Sequence, residues 1–144
     1  MRARSIMDMT AFVVGATLAF GGCGDDSTAP SMAEVAGTYE ATSLTMAFAG
    51  GAPVDLLAAG AEATLALDVD GTAAGHLFVP GGDEGGADLE EDLTGTWTLN
   101  GNTVILSQSA DTFLGDIPLT VSGGRLVGDR TFSGVRIRIT LTRQ

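Results

Sequence analysis

Apolar residues fall at every second position along much of this chain. In "VRIRITLTR" (residues 135–143), Val135, Ile137, Ile139 and Leu141 share one parity, and Arg136, Arg138, Thr140 and Thr142 share the other. Period-two alternation predicts a β-strand with one buried and one wet face. "ATLALDVD" alternates in the same way, with Leu65, Leu67 and Val69 on one side and Thr64, Asp68 and Asp70 on the other. "GTYEATSLTMAF" (Gly37–Phe48) is rich in β-branched and aromatic residues and puts Leu44, Met46 and Phe48 on one parity. "TAAGHLFVP", "LTGTWTLN" (with Leu93, Trp97 and Leu99 together), "NTVILSQS", "DIPLTVS" and "RLVGDRTF" complete a set of eight strands. Asp70-Gly71, Asn100-Gly101, Gly123-Gly124 and Ser133-Gly134 supply hairpin turns between them. The segment "AGGAPVDLLAAGAEA" breaks the pattern, and Leu56, Leu57 and Ala58 there suit a short helix or a lid-like loop.

Sequential antiparallel strands with one apolar face close up, because closure removes exposed edges. The expectation is an all-β fold: an eight-stranded antiparallel up-and-down barrel, with a flattened two-sheet sandwich as the rival. In the barrel, residues 37–48 must pair with residues 135–143, which brings Glu40 toward one or more of Arg136, Arg138 and Arg143. The interior is either filled or wide enough for one small ligand. Ala63, Ala73, Gly75, Gly95 and Gly128 on the inward set leave room for a ligand, whereas Phe48, Trp97, Phe132 and Leu99 meeting in the middle would fill it.

The first residues read differently. Arg2 and Arg4 precede a mostly apolar run, "MTAFVVGATLAF", that ends in Gly21-Gly22. A basic start, a short apolar stretch and a small-residue exit are the features of a secretory signal. The run is shorter than the roughly 20 apolar residues that span a bilayer, and Asp8 interrupts its start. The single cysteine, Cys23, follows at once. "FGGC" resembles the lipobox of bacterial lipoproteins, with Phe20 where an aliphatic residue is usual. That resemblance implies cleavage before Cys23, acyl chains such as palmitate on it, and anchoring in a membrane of the cell envelope. Gly24, without the acidic retention signal of inner-membrane lipoproteins, points to the outer membrane. Residues 1–22 are then a signal peptide helix, 23–35 a flexible tether, and 36–144 one barrel domain. One cysteine cannot form an internal disulfide, so lipidation also gives the thiol a reason to exist.

Charge narrows the partners. The chain carries a formal net charge of −11, and all seven positive residues are arginine. From Cys23 onward, five arginines face seventeen acidic residues, a net charge of −12. Nucleic acid repels such a chain. The five arginines all lie at or after Arg125. They either pair with acidic residues on neighbouring strands or form a basic strip that receives an anion.

With the strand pattern in place, "VAGTYEATSL" resembles the Gly-x-Trp element that opens the first strand of lipocalins, with Gly37 in register and Tyr39 in place of the tryptophan. The resemblance extends over the mature domain as a strand pattern. It implies a calycin-type barrel that binds a small apolar ligand. It also implies an arginine near the end of the last strand that packs on the aromatic residue at the closed end of the barrel, as a cation–π contact. Arg143 is the positional match and Arg138 the second. "GTWTLNGN" at Gly95 repeats the Gly-Thr-aromatic start, as a duplication or as composition alone.

Catalytic ingredients are few. His76, the one histidine, lies in a strand beside Leu77 and Phe78, where surface or packing roles are commoner than base chemistry. No nucleophile elbow or phosphate loop occurs, and the expectation is no enzyme and no cofactor. "PGGDEGGADLEED" (residues 80–92) carries Asp83, Glu84, Asp88, Glu90, Glu91 and Asp92. Its spacing matches no EF-hand loop, so a solvated hairpin tip is favoured over a calcium site and no metal site is assigned. Two functions stand: a lipid-anchored barrel binding a small apolar molecule, and a non-catalytic structural or interaction module of the envelope with a filled barrel.

Overall fold

A computed structural model describes residues 29–108 and 112–144. The signal segment and Cys23 lie outside the described residues.

The chain forms α1 (Met32–Val35), β1 (Gly37–Phe48), β2 (Val54–Asp55), β3 (Glu62–Leu67), β4 (Thr72–Val79), β5 (Leu89–Asn100), β6 (Thr103–Gln108), α2 (Phe113–Asp116), β7 (Leu119–Ser122), β8 (Arg125–Phe132) and β9 (Val135–Arg143). All neighbours pair antiparallel in the order β1-β3-β4-β5-β6-β7-β8-β9, and β9 returns to β1. The result is a closed eight-stranded barrel, with the two-residue β2 continuing the β3 edge of β1 through Thr45↔Asp55 and Met46↔Val54. The sandwich rival is excluded by the β1–β9 ladder, which runs from Tyr39↔Arg143 to Phe48↔Val135 with one bulge between Ala41 and Ser43.

The alternation in the sequence sets which side chains go in. Ile137, Ile139 and Leu141 of β9 are buried, as are Leu65 and Leu67 of β3 and Leu93 and Trp97 of β5. Each fully buried large apolar side chain contributes about 1.5–3 kcal/mol. Val69, expected to face inward, is 63% exposed. The β3 ladder ends at Leu67, and the Asp68 amide donates to the Thr72 carbonyl to close a turn that leaves Val69 at its tip. Phe48, at the end of its strand, is 60% exposed.

Three departures from simple hairpins complete the closure. Leu56 and Leu57 follow β2 in a turn and pack against the core, with the Leu56 amide donating to the Leu44 carbonyl. This is the segment expected to be a helix or lid. The stretch "DIPLTVS" becomes a strand only from Leu119, because Pro118 has no N–H to give to a ladder. β7 therefore pairs with β6 only at Thr103↔Thr120 and Val104↔Leu119. Above that short ladder α2 takes the place of a strand and drops Leu114 and Ile117 into the core.

α1 closes the lower end, where the turns after β3, β5 and β7 lie. It falls inside the stretch expected to be tether, yet Val35 is fully buried. Ser31 and Glu34 cap it reciprocally, the Ser31 Oγ accepting from the Glu34 amide and the Glu34 carboxylate from the Ser31 amide.

Candidate functional site

The interior is the first place to look for a site, and side chains of the described residues fill it. Leu44, Leu65, Leu77, Leu93, Trp97 and Leu126 are among its fully buried side chains. The gap in the wall beside Leu65, Ala73, Leu93 and Leu106 has no room for a water molecule. The small inward residues do not open a cavity. A Cβ on Gly75 would lie 2.2 Å from the Thr64 carbonyl oxygen, and one on Gly95 would lie 2.0 Å from the Ser107 carbonyl oxygen. These glycines mark points where the neighbouring strand bends onto them. A Cβ on Gly128 would meet Ile117 Cγ2 at 2.5 Å, Leu119 Cδ2 at 2.9 Å and Ile139 Cγ2 at 3.0 Å. Among the large residues expected to fill the middle, Trp97 is buried and Leu99 and Phe132 are partly buried, whereas Phe48 lies at the rim.

The closed end brings Gly37, Tyr39 and Arg143 together. Tyr39 and Arg143 are directly opposed in the β1–β9 ladder. The Tyr39 hydroxyl donates to the Val35 carbonyl at 2.5 Å, and burial pushes its pKa up, partly offset by the positive charge of Arg143. Arg143 reaches under the barrel and donates to the carbonyls of Glu34 at 2.7 Å and Ala36 at 2.6 Å. Its guanidinium lies against Gly37, where a Cβ would sit 2.8 Å from Nε. The arginine thus satisfies carbonyl oxygens at the end of α1. Arg138, the second candidate for this contact, lies on the outer wall beside Asp129. A guanidinium stacked on a ring is formed by Arg130, 5.2 Å from the centroid of Phe132. On the opposite side of the same end, the Trp97 indole N–H donates to the Asp68 carbonyl at 2.7 Å. Gly95 lies inside β5, not at its start, so the two Gly-Thr-aromatic copies do not open equivalent strands.

The outer wall carries the charged chemistry. Glu40, expected near the terminal arginines, is opposite Thr142. Arg136 and Arg138 turn the other way, to Asp129 on β8. Arg136 makes a two-pronged contact, Nε to Oδ1 at 2.8 Å and Nη2 to Oδ2 at 2.5 Å. Arg138 Nε adds a third contact at 3.1 Å. The hydrogen bonds from Arg136, with the charges of both arginines, hold the Asp129 carboxyl below the usual carboxylate range. Asp129 was missed in the sequence, yet a signal for it exists. Ser133 and Gly134 both have positive φ, 46° and 86°, as a two-residue hairpin turn requires. Counting back from that turn pairs residue 129 with residue 138.

Other candidates stay on the surface. His76 faces outward with Nδ1 3.0 Å from Asp92 and Nε2 3.6 Å from Glu90. In the acidic loop, Asp88 accepts from the Gly81 amide and Asp83 from the Glu84 amide. Among the described residues no group of three His, Cys, Asp or Glu side chains could hold a metal ion. Comparisons of the chain with family models, with curated proteins and with solved structures find no match.

Proposed function

We propose that this protein is a lipid-anchored, non-catalytic module of the bacterial cell envelope, with a lipocalin-like barrel that serves as a rigid scaffold. The observation that carries the scaffold reading is the filled interior: the inward glycines that could have made a ligand chamber are occupied by neighbouring backbone and methyl groups. Resident apolar ligands need concave space of about 300 Å³ or more, and the gap beside Leu65 and Leu106 lacks room even for water. The barrel closure and the grouping of Gly37, Tyr39 and Arg143 at the α1 end support the lipocalin-like reading.

The anchor reading rests on "FGGC" and the apolar run before it. Ala29 and Pro30 lie beside Asn102, Gly123 and Gly124 at the α1 end of the barrel. A tether from Cys23 would therefore hold that end toward the outer membrane and turn the acidic loop Gly81–Asp88 away from it. This suits a domain whose net charge anionic lipid surfaces repel.

The test is mass spectrometry of the protein extracted gently from its native membrane. The expected result is a chain beginning at Cys23 with acyl mass on it and no retained small molecule. Cys23→Ser should shift the protein to the soluble fraction or leave it unprocessed. A one-to-one retained ligand would overturn the filled scaffold, and a membrane-bound Cys23→Ser chain of unchanged mass would overturn the anchor.

A further inference from the structure

The outer wall where β1, β9 and β8 adjoin is not flat. The chain leaving β1 folds back through Gly51 and Pro53 and makes one side of a groove of about 490 Å³. The register places three rows across it: Ser43–Thr140–Val127, Thr45–Arg138–Asp129 and Ala47–Arg136–Thr131. This volume falls within the range of small-molecule sites, about 300–1,000 Å³.

The donors in the groove are not all used. Two guanidiniums share the single carboxylate of Asp129. Arg136 is committed to it by both prongs of its fork. Arg138 uses only Nε, and its two terminal amino groups have no partner among the described residues. Asp55 flanks the groove beside Thr45, where its carboxylate accepts the Ala58 amide at 3.2 Å, so two carboxylates stand against the two guanidiniums there. What is left over is the donors of Arg138, on a chain whose net charge is −11. Beside it lie the hydroxyls of Ser43, Thr45 and Thr140, and the apolar surfaces of Val127 and Pro53.

We propose that this groove binds a small organic carboxylate, with its anionic end on the terminal amino groups of Arg138 and the neighbouring hydroxyls and its short apolar body against Val127 and Pro53. A planar guanidinium matches a carboxylate in geometry. A dianion would meet more repulsion than a monoanion within a strongly negative molecule. The proposal is independent of the lipid anchor and of the interior.

The test is a titration of the ¹⁵N-labelled full-length chain with sodium hexanoate, read by backbone amide shifts. Hexanol, the same body without charge, and inorganic phosphate serve as comparison probes. Saturable shifts confined to residues 43–53, 127–131 and 136–140 are expected. Arg138→Gln should weaken binding by at least about tenfold, the equivalent of one charge-assisted hydrogen bond. Arg125→Gln, at the far end of β8, should leave it unchanged. Asp129→Asn should tighten it by releasing Arg136 to the ligand. Scattered shifts, hexanol binding as well as hexanoate, or equal losses in Arg138→Gln and Arg125→Gln would overturn the site. Tighter binding of phosphate than of hexanoate would overturn the carboxylate assignment.

Discussion

Adding one methyl group at Gly128 separates a filled barrel from a hollow one by the sign of its effect. In a hollow barrel Gly128→Ala would stabilise the fold by about 0.4–1 kcal/mol, since alanine restricts the unfolded chain. Here the new Cβ would stand 2.5 Å from Ile117 Cγ2, 2.9 Å from Leu119 Cδ2 and 3.0 Å from Ile139 Cγ2. Carbon atoms prefer about 3.5–4.0 Å, so Ile117 must retreat by about 1 Å into a core with no spare space. Overpacking of this kind costs about 1–3 kcal/mol. Set against the chain-entropy gain, the net loss is about 0.5–2 kcal/mol, or about 4 °C in Tm per kcal/mol for a domain of this size. Urea unfolding followed by the emission of Trp97, the single tryptophan, measures it directly. Ile117→Ala alone should cost about 2–5 kcal/mol and makes room for the added methyl. In that background Gly128→Ala should cost about 0.5–2 kcal/mol less than in the native chain. A stabilised Gly128→Ala protein, or an equal penalty in both backgrounds, would refute the filled interior.

Other perturbations test the seam and the closed end. Ile139→Ala should cost about 2–5 kcal/mol, whereas Arg138→Ala, which removes an exposed ion pair, should cost under about 1 kcal/mol; paired denaturation curves compare the two. Tyr39→Phe should cost about 1–2 kcal/mol by leaving the Val35 carbonyl without its donor. Because burial raises the Tyr39 pKa above 10.0, the folded state holds that proton more tightly than the unfolded one. The resulting stability is present below pH 10.0 and is lost as pH rises through the folded value; Tm measured through that range should fall less steeply in Tyr39→Phe. Asp129 has the opposite sign. Its pKa is lowered from 3.8, so its contribution is present above that value and is lost as pH falls through the folded one. Asp129→Asn should flatten the acid limb of the stability curve, measured at low salt where exposed charges are least screened.

Much of the fold can be read from alternation alone. β9 shows why: from Val135 to Thr142 each inward residue is aliphatic and each outward one polar, so a shift of one residue would invert every side chain. The β1–β9 closure follows from that pattern and from the turn signals. What alternation cannot reveal is where a strand stops. Val69 continues the apolar parity but lies past the last ladder pair. α2 is hidden because Phe113, Leu114 and Ile117 suit a strand as well as a helical turn, and Pro118 decides between them. The sequence leaves the interior undecided between filled and hollow, for an instructive reason. Glycine at an inward position is equally compatible with an empty space and with a neighbour that has moved into it, and only the coordinates of Thr64, Ser107 and Ile117 distinguish the two. At the closed end Gly37, Tyr39 and Arg143 were legible as a group, whereas the carbonyl partners of Arg143 depend on α1, which the composition of residues 32–35 does not announce.

The ladder between β1 and β9 sets the order in which the chain can fold. Its pairs join residues about a hundred positions apart, Tyr39 to Arg143 at one extreme. Closing a loop of that length costs roughly 4 kcal/mol in chain entropy before any contact repays it. β1 can pair with β3 early, but its other edge stays unmatched until β9 exists. α1 waits for the same event, since the carbonyls of Glu34 and Ala36 are held by Arg143. A chain made from its N-terminus onward therefore has no closed barrel until its last residues are available, and high contact order makes that final step slow. The same residues that seal the barrel also keep it from sealing too soon.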